Sequence, residues 1–185
     1  MALSISQMYE HTLTALKGWP SSAALDKTAV FDTASDPNAG TAYEGVTAGM
    51  CLSFNSSGKL IKGINNGAMP MFAMNNSIDY DAVSDTGGTA GRSYGSNGPN
   101  IGCLVAAGSY ELQSTEFLSS DTFNYNDPLT SSVANTGSVK AGWLKKGNFY
   151  DQDTCGVVSK AGPFKNESGV NVIQFWTYFL PSTSY

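Results

Sequence analysis

Positive charge is scarce in this sequence. Lysine and arginine together number 10 in 185 residues, Arg92 is the single arginine, and the net charge is −5. Charged residues make up 14% of the chain, against roughly 25% in an average globular protein. A nucleic-acid-binding surface needs clustered lysine and arginine to neutralise phosphates. The composition therefore argues against a nucleic-acid partner and favours a β-rich protein with many uncharged polar turns.

Histidine and cysteine are also rare. His11 is the only histidine, and Cys51, Cys103 and Cys155 are the only cysteines. An odd number of cysteines at wide spacing forms neither a disulfide framework nor a metal-binding pattern. Each cysteine lies among apolar neighbours in a predicted strand, so we expect three buried free thiols. Such thiols indicate that the chain folds in a reducing compartment.

Targeting segments are missing as well. Residues 1–13 have neither the basic region nor the apolar run of a signal peptide. No stretch approaches the run of about 18 apolar residues that a membrane-spanning helix needs. We therefore expect neither a secretion signal nor a membrane partner.

The stretch from 46 to 74 carries the clearest structural signal in the chain. Two apolar runs, 50–54 and 59–62, are joined by the residues NSSG at 55–58, which suit a tight turn. This pattern predicts a β-hairpin. The apolar run at 69–74 predicts a strand that returns beside it.

A looser copy of this unit occupies residues 127–160. A strand at 127–132, an Asn/Gly turn, a second strand at 138–142 and an apolar return at 154–159 follow in the same order. Two imperfect copies do not make a solenoid array. Two interpretations stay open: a pseudo-repeat of one small β unit, or chance matches of the kind that any glycine-rich β protein yields.

Residues 170–181 form the strongest predicted strand. Alternation places Trp176 and Tyr178 on one face and Ile173 and Phe175 on the other, and both faces are largely apolar. A strand of this kind lies centrally in a sandwich or barrel, or one of its faces meets another chain.

The first 20 residues differ from the rest. A short helix in this segment would carry Met8, Tyr9, Leu13 and Leu16. This spacing fits a short helix only in part, and an extended arm that docks elsewhere is the alternative. We predict an N-terminal arm at 1–20 and a β-rich body at 21–185, in which the polar stretch 75–100 is a functional or mobile loop. The predicted fold class is all-β, a compact β-sandwich or β-barrel with an N-terminal arm or short helix.

Catalytic and metal-binding patterns are sparse. Asp79, Asp81 and Asp85 form a carboxylate cluster, but the glycine and the closing glutamate of a calcium loop are missing. Glu111 and Glu116 flank a predicted strand end, and paired acid–base chemistry would need a cleft around them. We therefore expect no enzymatic activity, no metal and no cofactor.

Six short patterns follow one another between residues 45 and 181. They are GMCLSFNSSGKLIKG, MPMFAMNNSIDYD, SYELQSTEF, NDPLTSS, CGVVSK and FWTYFLP. In this order they resemble the capsid decoration (cement) proteins of tailed bacteriophages. The resemblance implies a β-rich protein that binds the outside of the capsid, often as a homotrimer, and reinforces contacts between major capsid subunits. It lies in the order of patterns and not in a catalytic motif, so it assigns no role to single residues.

The resemblance thus implies a structural virion protein, made in the host cytoplasm and located on the capsid exterior, whose partner is the major capsid protein. The alternatives are another virion component, such as a head-fibre or tail protein, and a carbohydrate-binding β-sandwich. In the last case Trp143 is the best stacking platform among the three tryptophans. The candidate residues for the capsid or subunit interface are Met8, Tyr9, Leu13, Leu16, Trp19, Trp176 and Tyr178.

Overall fold

The structure is a computed structural model that describes the chain in segments. These are residues 12–17, 27–40, 45–65, 67–74, 100–105, 110–148 and 153–178. The predicted loop at 75–100 lies outside them except for Asn100. His11 and the three aspartates of the predicted carboxylate cluster also lie outside the described residues.

The described residues form two antiparallel sheets. The strands of the six-stranded sheet are β1 (Leu13–Lys17), β7 (Glu111–Ser114), β8 (Pro128–Ser131), β9 (Leu144–Lys146), β10 (Thr154–Lys165) and β11 (Asn171–Thr177). The strands of the five-stranded sheet are β2 (Lys27–Val30), β3 (Cys51–Phe54), β4 (Leu60–Lys62), β5 (Met71–Ala73) and β6 (Asn100–Val105). Within the described segments the one helical element is a 3-10 turn at Thr33–Ser35. The predicted all-β class is confirmed.

The two sheets share one topology. The strand order is β2-β6-β5-β3-β4 in the five-stranded sheet and, leaving β1 aside, β7-β11-β10-β8-β9 in the six-stranded sheet. Strands β2 to β6 therefore correspond one to one, in chain order, to strands β7 to β11. Each of these pairings is antiparallel in both sheets. The chain thus contains the same five-stranded arrangement twice.

The correspondence extends to single residues. In the first hairpin Leu52 pairs with Lys62, and in the second Leu129 pairs with Lys146. The tetrapeptides LIKG and LKKG, which contain these lysines, therefore occupy the same place in the two sheets. The glycine that ends each tetrapeptide donates its N–H to the first residue of the neighbouring strand, at 2.8 Å and 2.9 Å.

Each five-stranded arrangement also has the same closing contact. A parallel bridge joins Phe31, directly after β2, to Leu60 of β4, and a second joins Phe117, beyond β7, to Leu144 of β9. In the five-stranded sheet this bridge links the two edge strands, so the sheet is nearly closed into a barrel. The fold is a compact domain of the predicted sandwich or barrel type.

The two units predicted from the sequence contain corresponding strands. The stretch 46–74 includes β3, β4 and β5, and the stretch 127–160 includes β8, β9 and the first part of β10. In each unit the first strand lies between the other two.

One strand of the second unit was predicted in the wrong place. Strand β9 begins at Leu144, whereas the prediction put it at 138–142. Thr136 and Val139 exchange two backbone hydrogen bonds, 3.1 Å and 3.0 Å long, across a turn in which Gly137 has a φ of 59°. The residues at the start of the predicted strand therefore belong to a local turn and do not pair with a neighbouring strand.

The described part of the predicted arm is a strand. β1 pairs antiparallel with β7 and forms an edge of the six-stranded sheet. The N–H of Thr12 donates to Oγ1 of Thr115 at 2.9 Å. Leu13 and Ala15 pack against the core, an alternation with the period of a strand. The short-helix alternative is therefore wrong for residues 12–17, and the remainder of the arm lies outside the described residues.

Two apolar clusters use opposite faces of the five-stranded sheet. Along β5, Met71 and Ala73 belong to the cluster inside the barrel, and Phe72 between them belongs to the cluster that lies between the sheets. The Phe72 and Phe175 rings pack across that second cluster with centroids 5.2 Å apart. Because both faces of β5 are covered, all three of its residues are buried.

A charged pair is buried beside the barrel. Nζ of Lys62 lies 2.9 Å from Oδ1 of Asp36, and both side chains are almost fully removed from solvent. The same carboxylate accepts the backbone N–H groups of Asn38 and Gly45 at 2.9 Å and 2.7 Å. Buried charges are tolerated when they are paired and hydrogen-bonded in this way. The pair fixes the loop after β2 against strand β4.

Candidate functional site

One face of the six-stranded sheet is turned away from the core. On β11, Ile173 and Phe175 are buried between the sheets, whereas Trp176 is 38% exposed. The ladder places the partners of Trp176 and of Gln174 on the same side of the sheet. We term this side the outer face. Its residues are Thr14, Leu16, Glu111, Gln113, Val157, Lys160, Gln174, Trp176 and Tyr178.

A chain of polar side chains crosses the centre of the outer face. Nε2 of Gln113 donates to Oε1 of Gln174 at 3.0 Å, and Nε2 of Gln174 donates to Oε1 of Glu111 at 2.7 Å. Glu111 is only 5% exposed although it belongs to this face. A charged acceptor strengthens a hydrogen bond, so these links hold three neighbouring side chains in fixed positions.

Apolar side chains lie next to this polar chain. Trp176 pairs across the ladder with Glu111 on one side and with Val157 on the other. Tyr178, two residues further on, is 36% exposed, and Leu16 at the sheet edge is 42% exposed. Large apolar side chains are thus exposed beside a hydrogen-bonded polar row, an arrangement suited to contact with a second surface.

The outer face is bordered by a hairpin of β10 and β11. Lys160, which pairs with Gln174, places its Nζ 3.7 Å from the centre of the Phe164 ring. A cation over an aromatic ring contributes about 0.5–1 kcal/mol at an exposed site. The contact holds the ammonium group of the exposed Lys160 over the Phe164 ring, next to the outer face.

The structure places the predicted interface residues in different environments. Leu16, Trp176 and Tyr178 are exposed on the outer face. Leu13 packs against the core cluster between the sheets. Met8, Tyr9 and Trp19, the other three candidates, lie outside the described residues.

Trp143 does not have the exposure of a stacking platform. It is half-buried and packs against the cluster inside the barrel. Its backbone N–H donates to the carbonyl of Lys140 at 3.1 Å, within the turn before β9. If an aromatic platform exists among the described residues, Trp176 is better placed for it.

The sequence did not indicate that the chain of polar side chains and Val157 belong to one candidate site on the outer face. The alternation in 109–114 does put Glu111 and Gln113 on one face, and the alternation in β11 puts Gln174 with Trp176. The sequence contains no signal that β7 and β11 are neighbours, because more than 55 residues separate them and register between distant strands is a tertiary property.

Glu111 and Glu116 accept hydrogen bonds from different side chains. Glu116 is buried and accepts a hydrogen bond from Oγ1 of Thr115 at 3.2 Å, whereas Glu111 is bonded to Gln174. Within the segments that the structure describes, no three histidine, cysteine, aspartate or glutamate side chains are grouped so that they could hold a metal ion.

The three cysteines are buried free thiols, as predicted. Burial, together with a hydrogen bond to Cys155, raises the pKa of Cys51 well above its usual value. Burial raises the pKa of Cys103 from 9.0 to about 12. The thiolate is the reactive form of cysteine, so both residues are protected from modification in the folded protein.

The raised pKa values of these thiols predict that the folded protein loses stability in alkali. The pKa of Cys103 is higher in the folded state than in the unfolded state. The stability that follows from this difference is therefore fully present below pH 9.0 and is lost as the pH rises toward about 12. We expect the urea midpoint of unfolding to fall over this range, and to fall less in Cys103→Ala.

Alkylation of the buried cysteines by iodoacetamide at neutral pH should require unfolding of the protein. Rapid labelling of the folded protein would contradict this.

Comparisons with known proteins identify no relative. No protein-family model matches the chain, and neither a search of curated proteins nor one of solved structures finds a match. Among the described residues, no helix has the length and apolar character to cross a membrane.

Proposed function

We propose that the protein is a structural component of a phage virion, which binds the outer surface of the capsid and stabilises contacts between major capsid subunits. In this role it acts as a homotrimer on the capsid exterior after synthesis in the host cytoplasm. It has no catalytic turnover and needs no cofactor.

The outer face is the observation that carries the proposal. Exposed Trp176 and Tyr178 lie beside polar side chains whose hydrogen bonds are already made within the face. Protein interfaces are enriched in such aromatic residues, surrounded by polar groups and depleted of unpaired charge. A face of this composition favours docking onto another protein.

The stretches that resemble capsid decoration proteins support the proposal in a second way. GMCLSFNSSGKLIKG contains the β3–β4 hairpin, NDPLTSS contains β8, and CGVVSK begins in β10. The remaining stretches contain or overlap β5, β7 and β11. The resemblance therefore follows strands of both sheets and not only variable surface loops, so it concerns the framework of the fold.

A decoration protein stabilises its shell by mass action. A protein that binds the assembled shell and not the free subunits stabilises each site by RT ln(1 + [L]/Kd), about 2.7 kcal/mol at a hundredfold excess over Kd. An oligomer that touches several capsid subunits at once multiplies this effect through avidity. Weak individual contacts are therefore sufficient for the proposed role.

The test measures shell stability with and without the protein. We expect the protein to co-sediment with expanded capsids and, at saturating occupancy, to raise the temperature or osmotic stress at which they rupture. Because the outer face is mainly uncharged, binding should weaken only slightly as salt increases. The control is the same shells in the same buffer without the protein.

Two outcomes would contradict the proposal. Failure to co-sediment with capsids would remove the shell as the partner. Saturated occupancy with unchanged rupture would exclude stabilisation, and a head-fibre or tail role would then be the better account.

Trp176 also favours a second candidate function, carbohydrate binding. An exposed indole beside amide and carboxylate groups is a typical sugar platform. However, both amides of the polar chain already donate within the chain, so fewer of their hydrogen-bonding groups are available to a sugar. Retention on a sugar resin, abolished by Trp176→Ala, would support this function over shell binding.

A further inference from the structure

Two of the three cysteines belong to one apolar cluster. Cys51 on β3 and Cys155 on β10 are fully buried in the cluster between the sheets, whereas Cys103 belongs to the cluster inside the barrel. The side chains of Cys51 and Cys155 are joined by a hydrogen bond. A pair of thiols in contact, one from each sheet, therefore lies in the core, and the proposed function makes no use of it.

The backbones of the two sheets are in direct contact beside this pair. The N–H of Cys51 donates to the carbonyl of Gly142 at 2.9 Å, and the N–H of Ile64 donates to the carbonyl of Ser131 at 3.3 Å. Ser131 belongs to β8, the strand that pairs with β10. Sheets that pack only through side chains lie about 10 Å apart, whereas a disulfide needs Cα atoms about 4.4–6.8 Å apart. The main-chain hydrogen bonds bring β3 closer to the six-stranded sheet than side-chain packing alone would.

We propose that Cys51 and Cys155 form a disulfide that joins the two sheets when the protein meets a disulfide oxidant such as oxidised glutathione. One cysteine attacks the oxidant and releases one glutathione thiol, and the second cysteine then displaces the other glutathione. One S–S bond is broken in the oxidant and one is formed in the protein, and the two thiol protons pass to the two glutathiones. Exchange takes place while the core is open, because the folded protein buries both thiols.

Such a cross-link depends on the compartment. Cytosolic thiols are kept reduced, whereas disulfides persist in oxidising surroundings. The reduced pair is therefore the form in which the chain folds, and the disulfide is the form in an oxidising medium. A disulfide restricts the unfolded chain, and the restriction is large when the closed loop contains roughly 100 residues, as it does here. The inference goes beyond the proposed function and does not depend on it.

The positions of the cysteines along the chain make the pairing testable. Cys103 lies midway between the other two, so in an unfolded chain its pairing with either one closes a loop of half the length. Loop-closure entropy then favours each of these pairings about threefold over the pairing of Cys51 with Cys155. Dominance of the long-range pair would therefore have to come from the folded structure.

The experiment refolds the reduced full chain from urea in a buffer of reduced and oxidised glutathione. The free thiols are then alkylated in urea, and unreduced peptides are mapped by mass spectrometry. We expect the folded protein to contain the disulfide of Cys51 with Cys155 in at least tenfold excess over both pairings of Cys103, and a chain kept in urea to show the opposite order. Cys103→Ala should form the same disulfide, and folded Cys51→Ala should keep both of its thiols free.

Thermal unfolding of Cys103→Ala compares the two forms directly. We expect the oxidised form to unfold about 10 °C higher than the reduced form. Free thiols in the folded protein, in a buffer that oxidises the unfolded chain, would overturn the inference. So would a disulfide to Cys103, or an oxidised form less stable than the reduced one. None of these readouts involves capsids, so failure of the virion role leaves the result unaffected.

Discussion

Replacing Lys62 with methionine is expected to lower the free energy of unfolding by about 3–5 kcal/mol, the usual cost of removing one partner from a buried ion pair. The substitution keeps most of the side-chain volume but leaves the buried carboxylate of Asp36 without its cation. Two backbone N–H groups still bind that carboxylate, yet they supply no full charge. Urea unfolding followed by circular dichroism measures the loss.

The internal correspondence provides the control. Lys146 occupies the same ladder position and also forms an ion pair, with Oδ2 of Asp127 at 2.8 Å, but its side chain is 45% exposed. Lys146→Met should cost at most about 1 kcal/mol, because solvent screens exposed pairs. Adding Asp36→Asn to Lys62→Met should restore part of the loss. Equal losses at the two lysines would show that the burial of the pair at Lys62 has no energetic consequence.

Replacing Gly63 with alanine is expected to destabilise the fold by about 3–4 kcal/mol, since a left-handed backbone and an overpacked contact each cost about 1–2 kcal/mol or more. Gly63 has a φ of 77°, and a Cβ there would clash with the backbone of Ser132 and Val133. The clash would push apart strand β4 and the segment after β8. The loss is measured as a lower urea midpoint.

Gly58→Ala is the matched control for this substitution. Gly58 has a similar φ of 72°, but a Cβ there would meet no atom within 4 Å. Its cost should be limited to the backbone conformation, about 1 kcal/mol. The difference between the two variants therefore isolates the close approach of the two segments. A difference near zero would mean that the backbone at Ser132 moves away freely.

Local patterns in the sequence predicted the strands correctly where turn chemistry and alternation agreed. The hairpin at 50–62 follows from the turn residues NSSG, and its Gly58 adopts the left-handed conformation that such a turn requires. The terminal strand was expected either to lie centrally or to present one face to another chain, and β11 lies between β7 and β10. The turn and the apolar character of both faces of β11 depend on residues close together in the chain, whereas the identity of the strands beside β11 does not.

Prediction failed where neighbouring turns compete. The turn closed by Gly137 and the turn before Leu144 together take up residues 136–143, and no local pattern indicates which apolar residues go on to pair with β8. The pairing of β9 with β8, in which Leu129 lies opposite Lys146, decides which of these residues form the strand.

By itself the sequence determined the all-β class, the buried thiols and the alternation that separates Trp176 from Phe175, because these follow from composition and from a period of two residues. Only the tertiary structure decided that the two sheets share one topology and that Lys62 is buried while Lys146 is exposed. It also decided that Glu111, Gln113 and Gln174 meet on the outer face. These outcomes depend on which distant strands become neighbours, and a strand's own residues do not encode its partner when many apolar runs compete for the same place.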